Sequence, residues 1–321
     1  MTVSRVINNS GYISVETKAR VEAAIKDIGY VPNTLARGLR SKRTNTLALV
    51  VTDITNPYFT SMARGVEDVA GASEYTVIYC NTDESETKEE KYANMLAQRQ
   101  VDGVLLVPAC GNAKTIKFLE ANDIAVVVLD RRVSGVDADF VRSDSTNGAR
   151  QLTKVLIGLG HRRIAIITGS KQVSTAVDRV TGYKQALSEA SLAENALVYY
   201  GGFNQQSGYD STMLAMLQSP KPSAIFAANN FILLGVVKAL RELQLRVPDD
   251  ISVAGFDDFP ESMLVKPFFT AAIQPAYEMG RLAAQLLLKR ISGELSGDCQ
   301  QIVLPTEIIQ RESTGPKTTP D

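Results

Sequence analysis

Five polar clusters interrupt an otherwise apolar body: DITNPYF (53–59), NTDES (81–85), LDRR (129–132), ANN (228–230) and FDD (256–258). They combine carboxylates, carboxamides, guanidiniums and aromatic rings. Such groups grip polyhydroxy ligands, because acids and amides bond hydroxyls two at a time while a ring covers the C–H side. An acid such as Asp257 and a guanidinium such as Arg179, converging on one cleft, suit a ligand of that kind. Other chemistries find less support. His161 is the only histidine and tryptophan is absent, which argues against a histidine-based triad or a histidine-rich metal site. Cys80, Cys110 and Cys299 are scattered and odd in number, the pattern of free, packed thiols. No G-x-G-x-x-G follows a strand-like run and no G-x-x-x-x-G-K-[ST] occurs, so a dinucleotide or nucleoside-triphosphate site is poorly supported. The sequence therefore predicts no cofactor, no metal and no enzyme activity.

The elements that must position these clusters repeat as strand, turn, helix. TLALVV (46–51) is followed by a helical stretch with Met62, Val66 and Val69 on one face. Then come YTVIYC (75–80), a charged helix, VDGVLLVP (101–108), another helix and IAVVVLD (124–130). After a polar gap the pattern restarts with a helix at 147–160 and RIAIITG (163–169), and runs through VYYGG, SAIFAAN and ISVAGFDD (251–258). TAAIQP, a helix near 276–293 and a strand-like QQIVLPTEII (300–309) close the body. Near-continuous Val/Ile/Leu runs alternating with amphipathic helices predict parallel sheets covered on both faces. Two such sets predict an α/β fold of two doubly wound lobes, and ligands of these sheets bind at the carboxyl ends of strands. At 321 residues, 45% hydrophobic and 21% charged, the chain has the length for two or three well-filled domains. No apolar run reaches the roughly 18–20 residues of a membrane span. No charged-then-apolar leader is present either, so a cytoplasmic location and no membrane partner are expected.

The first 44 residues differ in character. They hold eight Lys/Arg and three acids, a net +5, which leaves −6 for the remainder of a chain whose net charge is −1. A basic head on a mildly acidic body suggests a polyanion partner for the head; a solvated basic terminus is the plainer reading. Val3, Val6 and Ile7 share one helix face, Asn9-Ser10-Gly11 breaks the chain, and Ser14 is a good N-cap. Val21, Ala24, Ile25 and Ile28 form a second apolar face before Gly29. Thr34 to Arg40 is a third helical piece, too short to be stable alone in water, and Gly38 weakens it by about 1 kcal/mol.

In this order the pieces resemble the LacI–GalR family of bacterial transcription regulators. The head TVSRVINNSGYISVETKARVEAAIKDIGYVPNTLARGLRS is similar to that family's DNA-binding region, from the second helix of a helix-turn-helix through to the hinge helix. DITNPYF, VDGVLLVP, LGHRRIAIITG, LRVPDDISVAGFDD and LPTEIIQREST are family-like along the body, so the resemblance covers about Thr2 to Thr314. It implies periplasmic-binding-protein-like lobes preceded by a truncated all-α head. The implied boundaries are a partial helix-turn-helix at 1–30, a hinge at 31–44, and a body at 45–314. Lobe one is about 45–144 and 276–304, lobe two about 145–274 and 305–314, with a disordered tail at 315–321.

The resemblance implies roles residue by residue. Arg5 would read guanine edges in the major groove, with Thr2, Ser4 and Asn8 on phosphates. Ser14 and Thr17 would set a helix N-terminus on a phosphate, although Ser14 could simply be a cap. In the hinge, Asn33, Ala36 and Leu39 would meet the minor groove, with Leu39 wedged between base pairs. Asn56, Phe59, Asp130 and Arg131 would line lobe one's share of an effector cleft. Thr175, Arg179, Phe203, Asn229, Asp257 and Gln274 would line the rest. Two departures stand out: Asn230 replaces an Asp common after Asn229, and Gly202 an Asp common before Phe203. Both would remove negative charge near the cleft rim.

The expected function is a ligand-responsive repressor of a carbohydrate-utilisation operon. A homodimer would bind palindromic double-stranded operator DNA and a sugar-like effector. The alternatives are a sugar-binding transport or sensor protein of the same fold without DNA binding, and an enzyme on α/β lobes. The family's first helix and turn are missing from the chain as written. Either the start is placed too late or the chain trimmed, or the protein is headless. The open face of Val3, Val6 and Ile7 favours the former, since each exposed side chain forfeits roughly 1.5–3 kcal/mol, and predicts a poorly folded head.

Overall fold

The computed structural model describes residues 2–7, 11–29, 43–259 and 266–317. The chain divides into two units, Met1–Thr44 and Asn45–Asp321. In the first, α1 (Thr2–Ile7) precedes α2 (Val15–Asp27). Ser14 caps α2 from extended backbone. Its Oγ accepts from the Thr17 N–H at 3.3 Å and its hydroxyl donates to Thr17 Oγ1 at 2.8 Å. α1 and α2 are the two helical patterns expected from the sequence. Val6 is buried but Val3 is half exposed, and no residue of α2 is fully buried. Val3, Val21, Ala24, Ile25 and Ile28 line an open apolar groove. The side chains of Ser4 and Ile7, residue Asn8, and the hinge piece with Asn33, Ala36 and Leu39 lie outside the described residues.

Among the described residues the second unit holds two six-stranded sheets. Lobe one uses β1 (Thr46–Val51), β2 (Thr76–Asn81), β3 (Gly103–Leu106), β4 (Ala125–Leu129), β5 (Asp139–Ser143) and β11 (Gln301–Leu304), in the order β11-β5-β4-β3-β1-β2. Lobe two uses β6 (Ile164–Thr168), β7 (Leu197–Tyr200), β8 (Ala224–Ala227), β9 (Ser252–Phe256), β10 (Thr270–Ile273) and β12 (Glu307–Ile309), in the order β12-β10-β9-β8-β6-β7. The two orders are the same motif repeated. Every pairing is parallel except β10 with β12. Alternation along a strand explains the near-continuous apolar runs. Leu47, Leu49 and Val51 of β1 enter one core layer while Ala48 and Val50 enter the other. In β6, Ile164 and Ile166 face one layer, Ala165 and Ile167 the opposite one.

Helices cover both faces. Lobe one carries α3 (Pro57–Ala72), α4 (Glu86–Gln98), α5 (Lys114–Glu120) and α10 (Ala276–Ser292). Lobe two carries α6 (Ser145–Gly158), α7 (Ser174–Glu189), α8 (Gln205–Met216) and α9 (Asn230–Glu242). At the α3–α10 crossing Gly65 and Gly280 let the backbones touch: a Cβ on Gly280 would sit 2.0 Å from the Met62 carbonyl oxygen. This close approach fixes α3, whose first turn carries Asn56 and Phe59. The chain passes between lobes three times, after β5, after β10 and after β11.

Two sequence expectations need correction. The polar gap before residue 147 contains β5, DFVRS, and the following helix starts at Ser145 because Asp144 Oδ1 caps the Asn147 N–H at 3.0 Å. The Asp139 charge in β5 is satisfied from afar. Asp139 is held by the Arg290 guanidinium at 2.8 and 2.9 Å and by the Gln300 N–H at 2.7 Å. The single strand expected over 300–309 is two strands in different sheets, split at Pro305-Thr306 where the chain changes lobe.

Candidate functional site

Each lobe delivers an acid to the cleft from the same place in its sheet. Asp130 follows β4 and Asp257 follows β9, the equivalent strand. Both adopt left-handed backbone, with φ of 64° and 66°. Both N–H groups are tied to the neighbouring strand, Asp130 to the Val141 carbonyl at 3.0 Å and Asp257 to that of Ala272 at 2.9 Å. Non-glycine residues in this region cost free energy and persist where surrounding bonds impose them. Here the bonds turn both carboxylates inward.

The cavity between them is narrow in this structure, about 30 Å³, on the order of a single water. All ten cleft residues named from the sequence line it: Asn56, Phe59, Asp130, Arg131, Thr175, Arg179, Phe203, Asn229, Asp257 and Gln274. All but Phe203 are buried, so charges here interact with little water between them. Thr52, Asp53, Tyr58 and Glu84 also line it and were not singled out from sequence. Asp53 and Tyr58 belong to DITNPYF, and Glu84 to NTDES. Cluster membership was the available signal, but which side of a turn each faces is a tertiary matter.

The polar groups form a bonded network. Tyr58 donates its hydroxyl to Asp130 Oδ1 at 2.8 Å. Burial and the neighbouring Asp130 carboxylate push that phenol well above its ordinary pKa. Arg131 reaches both oxygens of Glu84 at 2.6 Å and the Pro108 carbonyl at 2.8 Å, a fork-to-fork pairing. In lobe two, Arg179 donates to the Ala228 carbonyl at 2.5 Å and lies 3.9 Å above the centre of the Phe256 ring. Its interaction with Asp257 is through space, without an ion pair. Asp257 accepts from the Gln274 amide at 2.6 Å, and Gln274 Oε1 in turn accepts from Ser143 of lobe one. Burial pushes the Asp257 carboxyl up to about 6, against the opposing pull of Arg179 and the Gln274 bond.

Phe203 sits between the two arginines, its ring centre 6.0 Å from the Arg131 guanidinium carbon and 5.9 Å from that of Arg179. The ring packs on Gly169, where a Cβ would lie 2.3 Å from it. Asn56 and Asn229 double as helix caps, accepting from the N–H groups of Tyr58 at 3.0 Å and Ile232 at 2.7 Å. Three buried polar atoms of lining residues, Thr52 Oγ1, Arg131 Nε and Arg179 Nε, have no hydrogen-bond partner.

The two departures, Asn230 and Gly202, each adjoin a lining residue in sequence, Asn229 and Phe203. Asn230 is fully buried and pairs with Asn56 of lobe one. Gly202 lies in the loop between β7 and α8 and donates to Ser207 Oγ at 2.9 Å. Neither lines the cavity. In the head, Thr2 and Arg5 are exposed on α1, and Ser14 and Thr17 bond one another. No group of three or more potential metal ligands occurs among the described residues. No helix among them is long and apolar enough to cross a membrane.

Known proteins share these features. Residues 1–33 match the family described as bacterial regulatory proteins, lacI family, and residues 153–314 match a periplasmic binding protein-like domain. A ribose operon repressor from Halalkalibacterium halodurans is 37% identical over 98% of this chain and 92% of its own. A LacI family transcriptional regulator from Enterococcus faecium with bound ribose is 29% identical with a TM-score of 0.76, covering 85% of this chain and 100% of that one. The Lac repressor dimer bound to operator and the anti-inducer ONPF is 26% identical with a TM-score of 0.83, over 98% and 94%.

Proposed function

The chain belongs to the lacI family of bacterial regulatory proteins, DNA-binding transcriptional regulators, and from that premise we propose that it represses a carbohydrate-utilisation operon under control of a sugar or sugar derivative bound between its lobes. One observation carries the effector reading. Thr52 Oγ1, Arg131 Nε and Arg179 Nε are buried polar atoms of cavity-lining residues without a hydrogen-bond partner, Arg131 Nε having only the Asp130 carboxylate at 3.8 Å. A buried polar group left unpaired costs about 1–3 kcal/mol, and ligand hydroxyls supply the missing partners. Asp130 with Arg131, and Asp257 with Arg179, each offer an acceptor beside a donor, the arrangement that bonds adjacent hydroxyls.

The protein acts as a homodimer on a palindromic operator, as two-fold symmetry of the protein calls for. Arg5, exposed on α1, reads base edges, and Thr2, Ser14 and Thr17 sit on phosphates. The effector changes the angle between lobes, and so biases DNA binding by about 1–3 kcal/mol.

Calorimetry of the full chain with D-ribose, D-xylose, D-glucose and adenosine identifies the effector class. Selection from a randomised palindrome library, with and without the ligand that binds, reads the coupling. Arg5→Ala is expected to relax sequence preference at one base position and weaken binding by about 1–3 kcal/mol. Absence of heat with every ligand at millimolar concentration sinks the effector reading. Binding to DNA without sequence preference in either condition sinks the operator reading.

A further inference from the structure

We propose that Asn230 and Arg132 are positioning residues for effector binding: they clasp the two lobes on either side of the cleft and set how long a ligand is held, without touching it. The inference rests on the reading of the cleft as an effector site.

The first clasp is a reciprocal pair of carboxamides. Asn56 Nδ2 donates to Asn230 Oδ1 at 3.1 Å, and Asn230 Nδ2 donates back to Asn56 Oδ1 at 2.9 Å. Asn56 is the cap of α3 in lobe one, and Asn230 is the first residue of α9 in lobe two. Both side chains are buried, Asn230 completely. The second clasp joins the loop after β4 to the start of α7. The Arg132 backbone N–H donates to Ser174 Oγ at 2.8 Å, and its guanidinium pairs with Asp178, Nε lying 3.3 Å from the carboxylate. Half of the Arg132 side chain remains exposed, so this ion pair is the weaker clasp.

Sequence adjacency couples the clasps to the site. Asn230 follows Asn229, Arg132 follows Arg131, and Ser174 precedes Thr175; in each pair the second-named residue lines the cavity and the first does not. Opening the lobes far enough to part a clasp also draws the lining apart. These clasp bonds exist only in the closed arrangement, whereas a ligand enters an open one. Losing a clasp therefore speeds dissociation and leaves association nearly unchanged.

Asn230→Asp separates closure from folding. At the first position of α9 a carboxylate is favoured by the helix N-terminus, so the fold is retained. Facing Asn56 Oδ1, however, it keeps one of two hydrogen bonds and carries a charge that closure would bury.

The test uses the full chain with D-ribose as probe, rapid mixing followed by tyrosine fluorescence, and small-angle scattering without sugar. Asn230→Asp is expected to speed ribose dissociation about tenfold with association within about twofold, and Arg132→Ala to speed it about threefold. Both variants are expected to enlarge the radius of gyration at an unchanged thermal midpoint. Unchanged dissociation and scattering in both overturn the proposal, as does a loss confined to association. If the unmodified chain does not bind ribose, the choice of sugar fails instead. The scattering arm then decides alone: expansion of the variants supports the clasps, and its absence overturns them.

Discussion

Lobe one and lobe two set an acid at matching posts, Asp130 after β4 and Asp257 after β9, but surround it differently. In lobe one the Tyr58 hydroxyl bonds Asp130, and Arg131 is gripped by both oxygens of Glu84. In lobe two Arg179 has a carbonyl and the Phe256 ring as partners, and Asp257 has the Gln274 amide. Lobe one's charges are balanced within a bonded network. Lobe two's acid is balanced only partly, which is why burial lifts Asp257 to about 6. The same fold position thus gives one acid bonded to a neighbouring phenol and another held by an amide and lifted by burial.

The comparison breaks most visibly at the acids. Asp257→Ala is expected to lower effector affinity about 100-fold, by removing a charged hydrogen bond to a hydroxyl, with little change in the thermal midpoint, because relief of the buried carboxylate's desolvation offsets the acceptor lost to the Gln274 amide. Asp130→Ala is expected to destabilise the fold as well, by about 1–3 kcal/mol, because the buried Tyr58 hydroxyl loses its acceptor. Paired calorimetry and thermal melts distinguish the two, and equal melting losses would erase the asymmetry.

Glu84→Gln tests the brace in lobe one. The amide can keep one bond to Arg131 but not the charge-assisted pair, and affinity is expected to fall about tenfold. An unchanged Kd would mean that Arg131 needs no carboxylate to hold its place.

The pH response sharpens the lobe-two side. A ligand that donates to ionised Asp257 binds less well once that group is protonated. From a carboxyl at about 6, affinity at pH 5 is expected to be about tenfold below that at pH 7.5. The Asp257→Asn variant, if it retains measurable binding, should show no such slope. A flat profile in the unmodified chain would place the ionisation elsewhere.

The smallest effect is on stability. Asp257 is raised in the folded state above its ordinary value of 3.8, so the folded protein binds the extra proton. Its stabilising contribution is complete below about pH 4, is lost as pH rises through about 6, and stays lost above. Asp257→Asn does not suffer that loss. Its melting advantage over the unmodified chain should grow between pH 4 and 6 and then level at a few degrees.

The architecture was legible because buried parallel strands leave near-continuous apolar runs, as in Leu47–Val51 and Ile164–Ile167. β5 escaped notice since Asp139 and Arg142 make it read as polar, and the partners that satisfy Asp139, Arg290 and Gln300, arrive from more than 150 positions away. The clusters at strand ends could be found, but not the full lining. Tyr58 and Phe59 are adjacent in a helix, and no periodicity says that both reach one cavity. Glu84 sat in a quoted cluster without a sign that it would brace Arg131.

What the sequence determined by itself was the repeated strand–helix pattern, the basic head and the stock of acids, amides and arginines at strand ends. Local propensity and burial period are written in neighbouring residues. What the tertiary structure alone decided was convergence: Asp130 opposite Asp257, Phe203 between two guanidiniums, and Asn56 bonded to Asn230 across 174 positions of chain. Such contacts depend on three passages of the backbone between lobes. Hydrogen bonds are directional and short-ranged, so their partners follow from where the folded backbone places each side chain.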